Sequence, residues 1–284
     1  MSLRFKQVDV FTSKRYKGNA VAVFFDADDL DQEQMQQIAN WTNLAETTFV
    51  LKPTDPKADY RLRIFTPGCE LPFAGHPTLG SCHAIYESGL ISPRNGQFIQ
   101  ECEGGLVTIS LENDILSFQL PYNRTSEVTE SNHKDIADAL GVNIESITSY
   151  SPPIAIDVGP KWLTIKFPDA QAVIGLNPDL QKITKLSSKL QLTGIQTFGE
   201  YEDGSLESRT FAPIVGLNED FACGSGSGAI GTFIHKFGNT EITRFKVKQG
   251  RRVGRDAELN IRIDGDKIHV GGSSITCLEG TYQI

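Results

Sequence analysis

The chain has 284 residues, of which 39% are hydrophobic and 22% are charged, and its formal net charge is −8. These values are typical of a globular protein, and they exclude disordered, collagen-like and coiled-coil chains. The acidic balance also argues against a nucleic-acid-binding surface, because such a surface needs clustered Lys and Arg.

Targeting and cross-linking signals are weak in this sequence. No segment approaches the roughly 18 apolar residues that span a bilayer, and residues 1–6 lack the apolar stretch of a signal peptide. The absence of any CxxC pair argues against a disulfide framework and a structural zinc site. The scattered cysteines are Cys69, Cys82, Cys102, Cys223 and Cys277. We therefore expect a reduced, cytoplasmic protein with no metal site and no membrane or nucleic-acid partner.

Short apolar or alternating runs predict strands along the whole chain. In chain order these are residues 7–10, 20–25, 48–51, 60–65, 107–111, 115–120, 163–167, 245–248, 259–263 and 267–270. Three helices lie between them, with predicted N-terminal caps at Asp31, Asn132 and Asn177. The mixture predicts an α+β fold whose strands are mostly antiparallel.

One pattern occurs twice in the chain. An Arg-x-Phe-x-Pro segment is followed by a glutamate that lies five residues before a glycine, and the glycine opens an apolar helix that precedes a strand hairpin. The first copy is residues 63–67, Glu70, Gly75 and 76–88, and the second is residues 209–213, Glu219, Gly224 and 225–237. Several matches in the same order indicate an internal duplication. We place the boundary in the polar stretch 121–130, which gives halves 1–124 and 125–284.

The two glycine–helix junctions have the chemistry of anion sites. Both helices are almost uncharged, which predicts that they are buried. A buried helix N-terminus presents unpaired N–H groups and about half a positive charge, so it needs a cap or an anion. Gly75 and Gly224 would let a ligand approach the backbone closely. The alternative is that these glycines serve only the packing of helix against strand.

Two further side chains lie at these junctions. Cys223 precedes Gly224, and a thiol at a helix N-terminus is expected to have a lowered pKa, which suits a proton-transfer base. Its alternative is a small buried residue, and Ala74 at the matching position of the first copy removes any symmetric pair of thiols. His76 begins the first helix and could bind or protonate a substrate oxygen, or only cap the helix.

Glu46 lies where a predicted helix gives way to a strand, in the run Asn43 to Val50. A carboxylate at the start of a buried strand is costly, and burial would raise its pKa toward the range of general acid–base catalysis. The alternative is a strand-edge glutamate paired with Arg61 or Arg63.

Taken together, these segments resemble the phenazine-biosynthesis PhzF-like family, whose members are relatives of diaminopimelate epimerase. The most specific string is Glu-Leu-Pro-Phe-Ala-Gly-His-Pro at residues 70–77. The other matching segments are residues 7–12, 18–21, 43–50, 65–67, 219–220, 224–225, 249–250 and 271–272. The resemblance therefore runs nearly from end to end.

The resemblance implies a diaminopimelate epimerase-like fold of two similar halves, each a sheet curled around a central helix, with the active site in the cleft between them. The C-terminal strand can cross to the first half in such a fold. It also implies a homodimer and cofactor-independent isomerisation of a small carboxylic acid. By the same resemblance Glu46 is the general acid/base, and His76 and Asp220 contact and polarise the substrate. The residues implied in carboxylate binding are Gly75, Gly224 and Ser225.

Two alternatives to this function remain open at the level of the sequence. The string Ala-Cys-Gly-Ser-Gly at residues 222–226 resembles the second thiol site of two-base epimerases, whereas phenazine-type members more often have Pro-Ala-Thr-Gly-Ser. A two-base racemase or epimerase that uses Cys223 is therefore the second hypothesis. The third is a non-catalytic member of the fold that binds a ligand or a protein.

Overall fold

The structure, a computed structural model, describes residues 2–284. The elements of the first part are β1 (Ser2–Val10), β2 (Asn19–Phe24), α1 (Gln32–Thr42), β3 (Glu46–Leu51), β4 (Tyr60–Phe65), β5 (Glu70–Leu71), α2 (Gly75–Glu87), β6 (Gln97–Cys102), β7 (Gly105–Glu112) and β8 (Ile115–Gln119). The following elements are β9 (Arg124–Glu127), α3 (His133–Leu140), α4 (Ile144–Thr148), β10 (Ile154–Asp157), β11 (Lys161–Lys166), α5 (Ala170–Ile174), α6 (Leu180–Leu190), β12 (Gly194–Glu200), β13 (Leu206–Phe211), α7 (Gly224–Phe237), β14 (Arg244–Gln249), β15 (Ala257–Asp264), β16 (Lys267–Gly272) and β17 (Ser274–Gln283).

The described chain forms two compact units. The first runs to Phe118 and includes Gly271–Ile284, and the second is Gln119–Val270. This division differs from the boundary after residue 124 that the sequence suggests. Phe118 lies with the first unit because β8 pairs with β7, and the C-terminal segment lies there because β17 pairs with β1 along its length. Folding of residues 1–124 and 125–284 as separate domains stays a prediction.

The first unit is a mixed sheet packed against α2. Its strands follow the order β17–β1–β2–β3–β4–β6–β7–β8, and the pairs β2–β3 and β4–β6 are parallel whereas the other pairs are antiparallel. Helix α2 contacts β1, β2, β3 and β17. Helix α1 contacts β3 and β4, and its buried residues Met35, Ile38 and Ala39 belong to an apolar core with Phe24 and Phe49.

The second unit is built in the same way around α7. Its strands follow the order β9–β10–β11–β12–β13–β14–β15, and the pairs β11–β12 and β13–β14 are parallel. Helix α7 contacts β10, β11, β12 and β15. A separate apolar core joins α3 and α6 to this unit through residues such as Leu140, Ile183 and Leu186.

The two units share one order of strand orientations. Counted from β1 and from β10, five successive pairs are antiparallel, parallel, antiparallel, parallel and antiparallel in each unit. In both units the central helix connects the fourth strand of this series to the fifth. The α+β fold of two similar halves, each with an apolar helix against a mostly antiparallel sheet, is therefore confirmed.

Local signals at the helix ends are partly confirmed. Asp31 caps α1 through a reciprocal pair of hydrogen bonds with Gln34. Asn132 lies at the N-cap position of α3, as predicted, but its side chain donates to Thr129 and makes no capping hydrogen bond to the helix. The predicted cap at Asn177 is wrong, because Asp179 accepts the first N–H groups of α6. None of the helices between residues 2 and 284 has both the length and the apolar character to cross a membrane.

Candidate active site

Glu46 is the first residue of β3 in the first unit. Asn43 ends α1 in the left-handed conformation, with φ at 53°, and the chain then turns into the strand. The side chain of Glu46 is only 16% exposed. This burial penalises the charged form and raises the pKa of Glu46 from 4.5 to about 7. The carboxyl group can therefore both hold and release a proton near neutral pH.

The N-terminus of α2 lies beside this carboxyl group. His76 is the second residue of the helix, and its Nε2 is 3.3 Å from Glu46 Oε2. Ala74 occupies the capping position in an extended conformation and forms no side-chain cap. Pro77 follows at the third helical position, where it has no N–H. The first unit thus brings together Glu46, Gly75 and His76, three of the residues that the sequence suggests for the site.

Arg63 does not pair with Glu46, in contrast to the alternative that the sequence left open. Its guanidinium binds Glu70 in a two-pronged ion pair, with Nε to Oε1 at 2.7 Å and Nη2 to Oε2 at 2.6 Å. Such a fork-to-fork pair fixes both side chains. Arg63 therefore ties β4 to the segment that leads into α2, and Glu46 is left beside His76.

The N-terminus of α7 in the second unit is organised by Cys223. Its Sγ accepts a hydrogen bond from the Gly226 N–H at 3.3 Å, so the thiol caps the helix. Ser225 Oγ lies 3.5 Å from this sulfur and accepts a hydrogen bond from Trp162 Nε1 at 3.1 Å. Asp220 precedes the helix, and its Oδ1 accepts from the Ala222 N–H at 3.3 Å. Asp220, Cys223, Gly224 and Ser225 thus form one short, hydrogen-bonded segment.

The expected lowering of the Cys223 pKa is wrong. Cys223 is only 5% exposed, and its burial, with a smaller contribution from the negative charge of Asp220, raises the pKa of the thiol above its ordinary value. The hydrogen bonds from Ser225 and Gly226 act in the opposite direction but are outweighed. At neutral pH Cys223 is therefore a neutral thiol.

Sequence reasoning missed the side chains that support the second junction. Arg209 binds Glu219 through Nε to Oε1 at 2.9 Å and Nη2 to Oε2 at 2.8 Å, in the same geometry as Arg63 with Glu70. The repeated Arg and Glu were visible in the sequence and could have predicted this pair. Gln249 also bonds to the segment before α7, and its place in a matching motif was the only signal for it.

No cluster of three or more His, Cys, Asp or Glu side chains suited to a metal ion occurs in the described residues 2–284.

The geometry defines a duplicated α+β protein in which each central helix begins at a glycine next to polar side chains. A family model described as phenazine biosynthesis-like protein (PhzC-PhzF) matches residues 8–280. The chain is 47% identical over 287 residues to "Antisense-enhancing sequence 1" of Schizosaccharomyces pombe, with 97% of each chain covered. It is 33% identical over 291 residues to trans-2,3-dihydro-3-hydroxyanthranilate isomerase of Pseudomonas chlororaphis, with 98% of each chain covered.

A solved structure has the same fold. The Bacillus anthracis phenazine biosynthesis protein of the PhzF family superposes with a TM-score of 0.89 at 22% identity, with 100% of each chain covered. The chain therefore belongs to the phenazine biosynthesis-like, or PhzF, family. Relatives over the whole length of the chain are named as isomerases, and this chain is therefore an isomerase.

Proposed function

We propose that the chain moves a proton, or a double bond with it, within a small carboxylic acid, and that Glu46 is the general acid/base. No cofactor is required for this chemistry. The observation that carries the proposal is the buried carboxyl group of Glu46, which lies 3.3 Å from His76 and has a pKa of about 7. A group with such a pKa can take a proton from carbon and return it at the same working pH.

The proposed reaction is a proton transfer next to the substrate carboxyl group. Ionised Glu46 removes the proton from carbon, and the electron pair of the broken C–H bond spreads toward the carboxylate as an enolate-like charge. Glu46, now protonated, returns the proton to the far end of the conjugated system, which shifts the double bond. Return of the proton to the same carbon restores the substrate and is observed only as hydrogen exchange with the solvent. His76 contacts the substrate, and the N-terminus of α2 at Gly75 favours the developing negative charge.

The second junction supplies further proposed roles. Gly224 and Ser225 have the helix N–H groups and the hydroxyl that suit a carboxylate. The Ser225 Oγ accepts from Trp162 and lies 3.5 Å from Cys223 Sγ, so a bound carboxylate would compete with this sulfur for the hydroxyl hydrogen. Asp220 is proposed to contact and polarise the substrate. Each of these roles is testable by substitution of the residue, in the same assay that is used for Glu46. We also propose that the chain forms a homodimer, which light scattering in solution would test.

The test is a screen of small carboxylic acids in deuterated water, followed by NMR for hydrogen exchange and for new isomers. The first acid to examine is trans-2,3-dihydro-3-hydroxyanthranilate, for which a relative is named. We expect Glu46→Gln to lower the rate by about 1,000-fold or more, because the amide can neither take nor return the proton.

Glu70→Gln is the matched control for this substitution. The Glu70 side chain is 18% exposed, close to the 16% of Glu46, but its charge is compensated by Arg63. This variant should keep exchange and turnover within about 10-fold of the wild type, because it weakens the ion pair that supports α2 but leaves the acid/base in place. Equal losses in the two variants, or full activity in Glu46→Gln, would remove Glu46 from the mechanism.

The two-base alternative needs Cys223 as a base, and the raised pKa of this thiol works against that role. Inversion at the α-carbon with uptake of solvent deuterium, lost in Cys223→Ser, would favour that alternative over the proposal. Binding of many acids without any hydrogen exchange would favour the non-catalytic alternative.

A further inference from the structure

The side-chain amide of Gln249 holds the segment that leads into α7. Gln249 is the last residue of β14 and is 1% exposed. Its Oε1 accepts from the Cys223 N–H at 3.2 Å, and its Nε2 donates to the Asp220 carbonyl at 2.9 Å. One amide therefore bonds to both ends of the segment 220–223.

Two further hydrogen bonds orient this amide. Ser208 Oγ donates to Gln249 Oε1 at 3.1 Å, and Gln249 Nε2 donates to Thr210 Oγ1 at 3.2 Å. A backbone N–H can only donate and a carbonyl can only accept, so the segment needs a donor and an acceptor at one place. An amide provides both, whereas a carboxylate has only acceptors and an ammonium has only donors.

The next residue makes a second contact with the same segment. Gly250 has φ at +95°, and a Cβ atom placed there would lie 2.6 Å from the Phe221 carbonyl oxygen. A side chain at this position would be both strained and blocked. The Gln-Gly pair therefore supports the segment at Asp220, Phe221 and Cys223, while Glu219 just before it is held by Arg209.

We propose that Gln249 is a positioning residue, which holds residues 220–223 and the first turn of α7 in the conformation that binds the substrate carboxylate. This inference rests on the proposed function, because Gly224, Ser225 and Asp220 are binding groups only there. Gln249 itself touches no substrate in this account. It acts through the backbone at Asp220 and Cys223, and a shift of about 1 Å at a binding group can cost about 100-fold in rate.

The test is Gln249→Glu, which keeps the size and the acceptors but removes both N–H donors. We expect kcat/KM to fall about 10- to 100-fold, with most of the change in KM, because the variant disturbs binding more than proton transfer. Hydrogen exchange of a peptide over residues 217–226, followed by mass spectrometry, should become faster without substrate present. Should this variant fail to fold, Ser208→Ala removes one bond to the same amide and should raise KM about 2- to 5-fold.

Gln100→Glu is the matched control. Gln100 is a fully buried amide on β6 of the first unit, where it accepts from Tyr60 and donates to Thr78. Both substitutions bury a carboxylate in a strand, so both should lower Tm, but only Gln249→Glu should raise KM and speed exchange at 217–226. Equal losses of Tm with unchanged KM and unchanged exchange would overturn the inference. A wild-type protein that turned over no acid would instead remove the proposed function, and the exchange measurement would still decide whether Gln249 holds the segment.

Discussion

The junctions before α2 and α7 share a scaffold and differ in chemistry. Each has an Arg–Glu pair with two parallel hydrogen bonds, and each guanidinium lies over the phenylalanine two residues further along its strand. The distance from the guanidinium carbon to the ring centroid is 5.1 Å for Arg63 and Phe65, and 4.9 Å for Arg209 and Phe211. The duplicated motif thus contains the Arg, Phe and Glu residues that hold each junction in place, and both copies have all three residues.

The side chains that can do chemistry are not shared. Phe65 and Phe211 occupy matching positions in the two copies of the motif. Phe65 pairs with Thr47, and Phe211 pairs with Ile195, so Thr47 corresponds to Ile195. The preceding residues, Glu46 and Gly194, therefore also correspond to each other. A Cβ atom at Gly194 would lie 2.1 Å from the Phe211 carbonyl oxygen, so the second copy has no room for a side chain there. The first copy therefore has the group that titrates near neutral pH, and the second has a helix end that is capped by a neutral thiol and held by the Gln249 amide.

Removal of the buried arginine is expected to have the largest effect on stability. Arg209 and Glu219 are 6% and 12% exposed, whereas Arg63 and Glu70 are 17% and 18% exposed. Arg209 also donates to the Leu176 carbonyl at 2.7 Å. Arg209→Met should lower the free energy of unfolding by about 3–5 kcal/mol, because it leaves a buried carboxylate unpaired. Arg63→Met should cost about 1.5–3 kcal/mol, the range for a hydrogen bond to a charged group.

Urea denaturation of both variants measures this difference. The double variant Arg209→Met with Glu219→Gln has no unpaired charge and should recover part of the loss. Equal losses of unfolding free energy in Arg209→Met and Arg63→Met would mean that burial does not make one Arg–Glu pair more important than the other. The two junctions would then differ only in Glu46 and Cys223.

The sequence predicted what local patterns encode. The strand at Tyr60–Phe65 was predicted with its observed bounds, and both apolar helices were predicted to within a residue or two. Strands β12 and β13 were missed, because every residue of β13 and all but the last of β12 are buried, with polar side chains such as Gln196 and Glu207 among them. A strand buried on both faces lacks the alternation of apolar and polar residues that predicts a strand.

The site was predictable in its residue types and less so in its interactions. The sequence left two interpretations of Glu46 open, a costly buried carboxyl group at the start of a strand and a strand-edge glutamate paired with Arg61 or Arg63, and the packing around its side chain decides for burial. The direction of the Cys223 pKa could not be read from the sequence, because burial and the helix terminus act in opposite directions and only the packing decides which prevails. The hydrogen bonds from Gln249 to the segment before α7 could not be predicted either, because Gln249 and Cys223 are 26 positions apart in the chain.

Glu46→Gln should also stabilise the protein at high pH. This effect would show that the first junction contains a buried group that titrates near neutral pH, in contrast to the second junction. The folded-state pKa of about 7 is raised from 4.5, so the stability due to protonated Glu46 is present below pH 4.5 and is lost as the pH rises to about 7. The neutral amide avoids this loss. At about pH 8 the variant should exceed the wild type by about 3 kcal/mol, and the difference should shrink toward pH 5.

The measurement is urea denaturation at several pH values, with Glu70→Gln for comparison. In the same pH range kcat/KM of the wild type should rise with an apparent pKa near 7, since the base must be ionised to accept the proton. A stability difference that did not change with pH would mean that Glu46 has an ordinary pKa, and the first junction would lose its titrating group.

The smallest effect concerns the helix caps themselves. Cys223→Ala removes the sulfur that accepts the Gly226 N–H, and should cost about 1 kcal/mol. The reverse change in the first copy, Ala74→Ser, should gain less than about 0.5 kcal/mol, because Pro77 has no N–H at the position where a cap usually binds. Thermal unfolding of the two variants and of Cys223→Ser, which keeps a capping atom, compares the junctions directly. A gain in Ala74→Ser as large as the loss in Cys223→Ala would mean that α2 can be capped like α7, so that only Glu46 and its counterpart Gly194 distinguish the two copies.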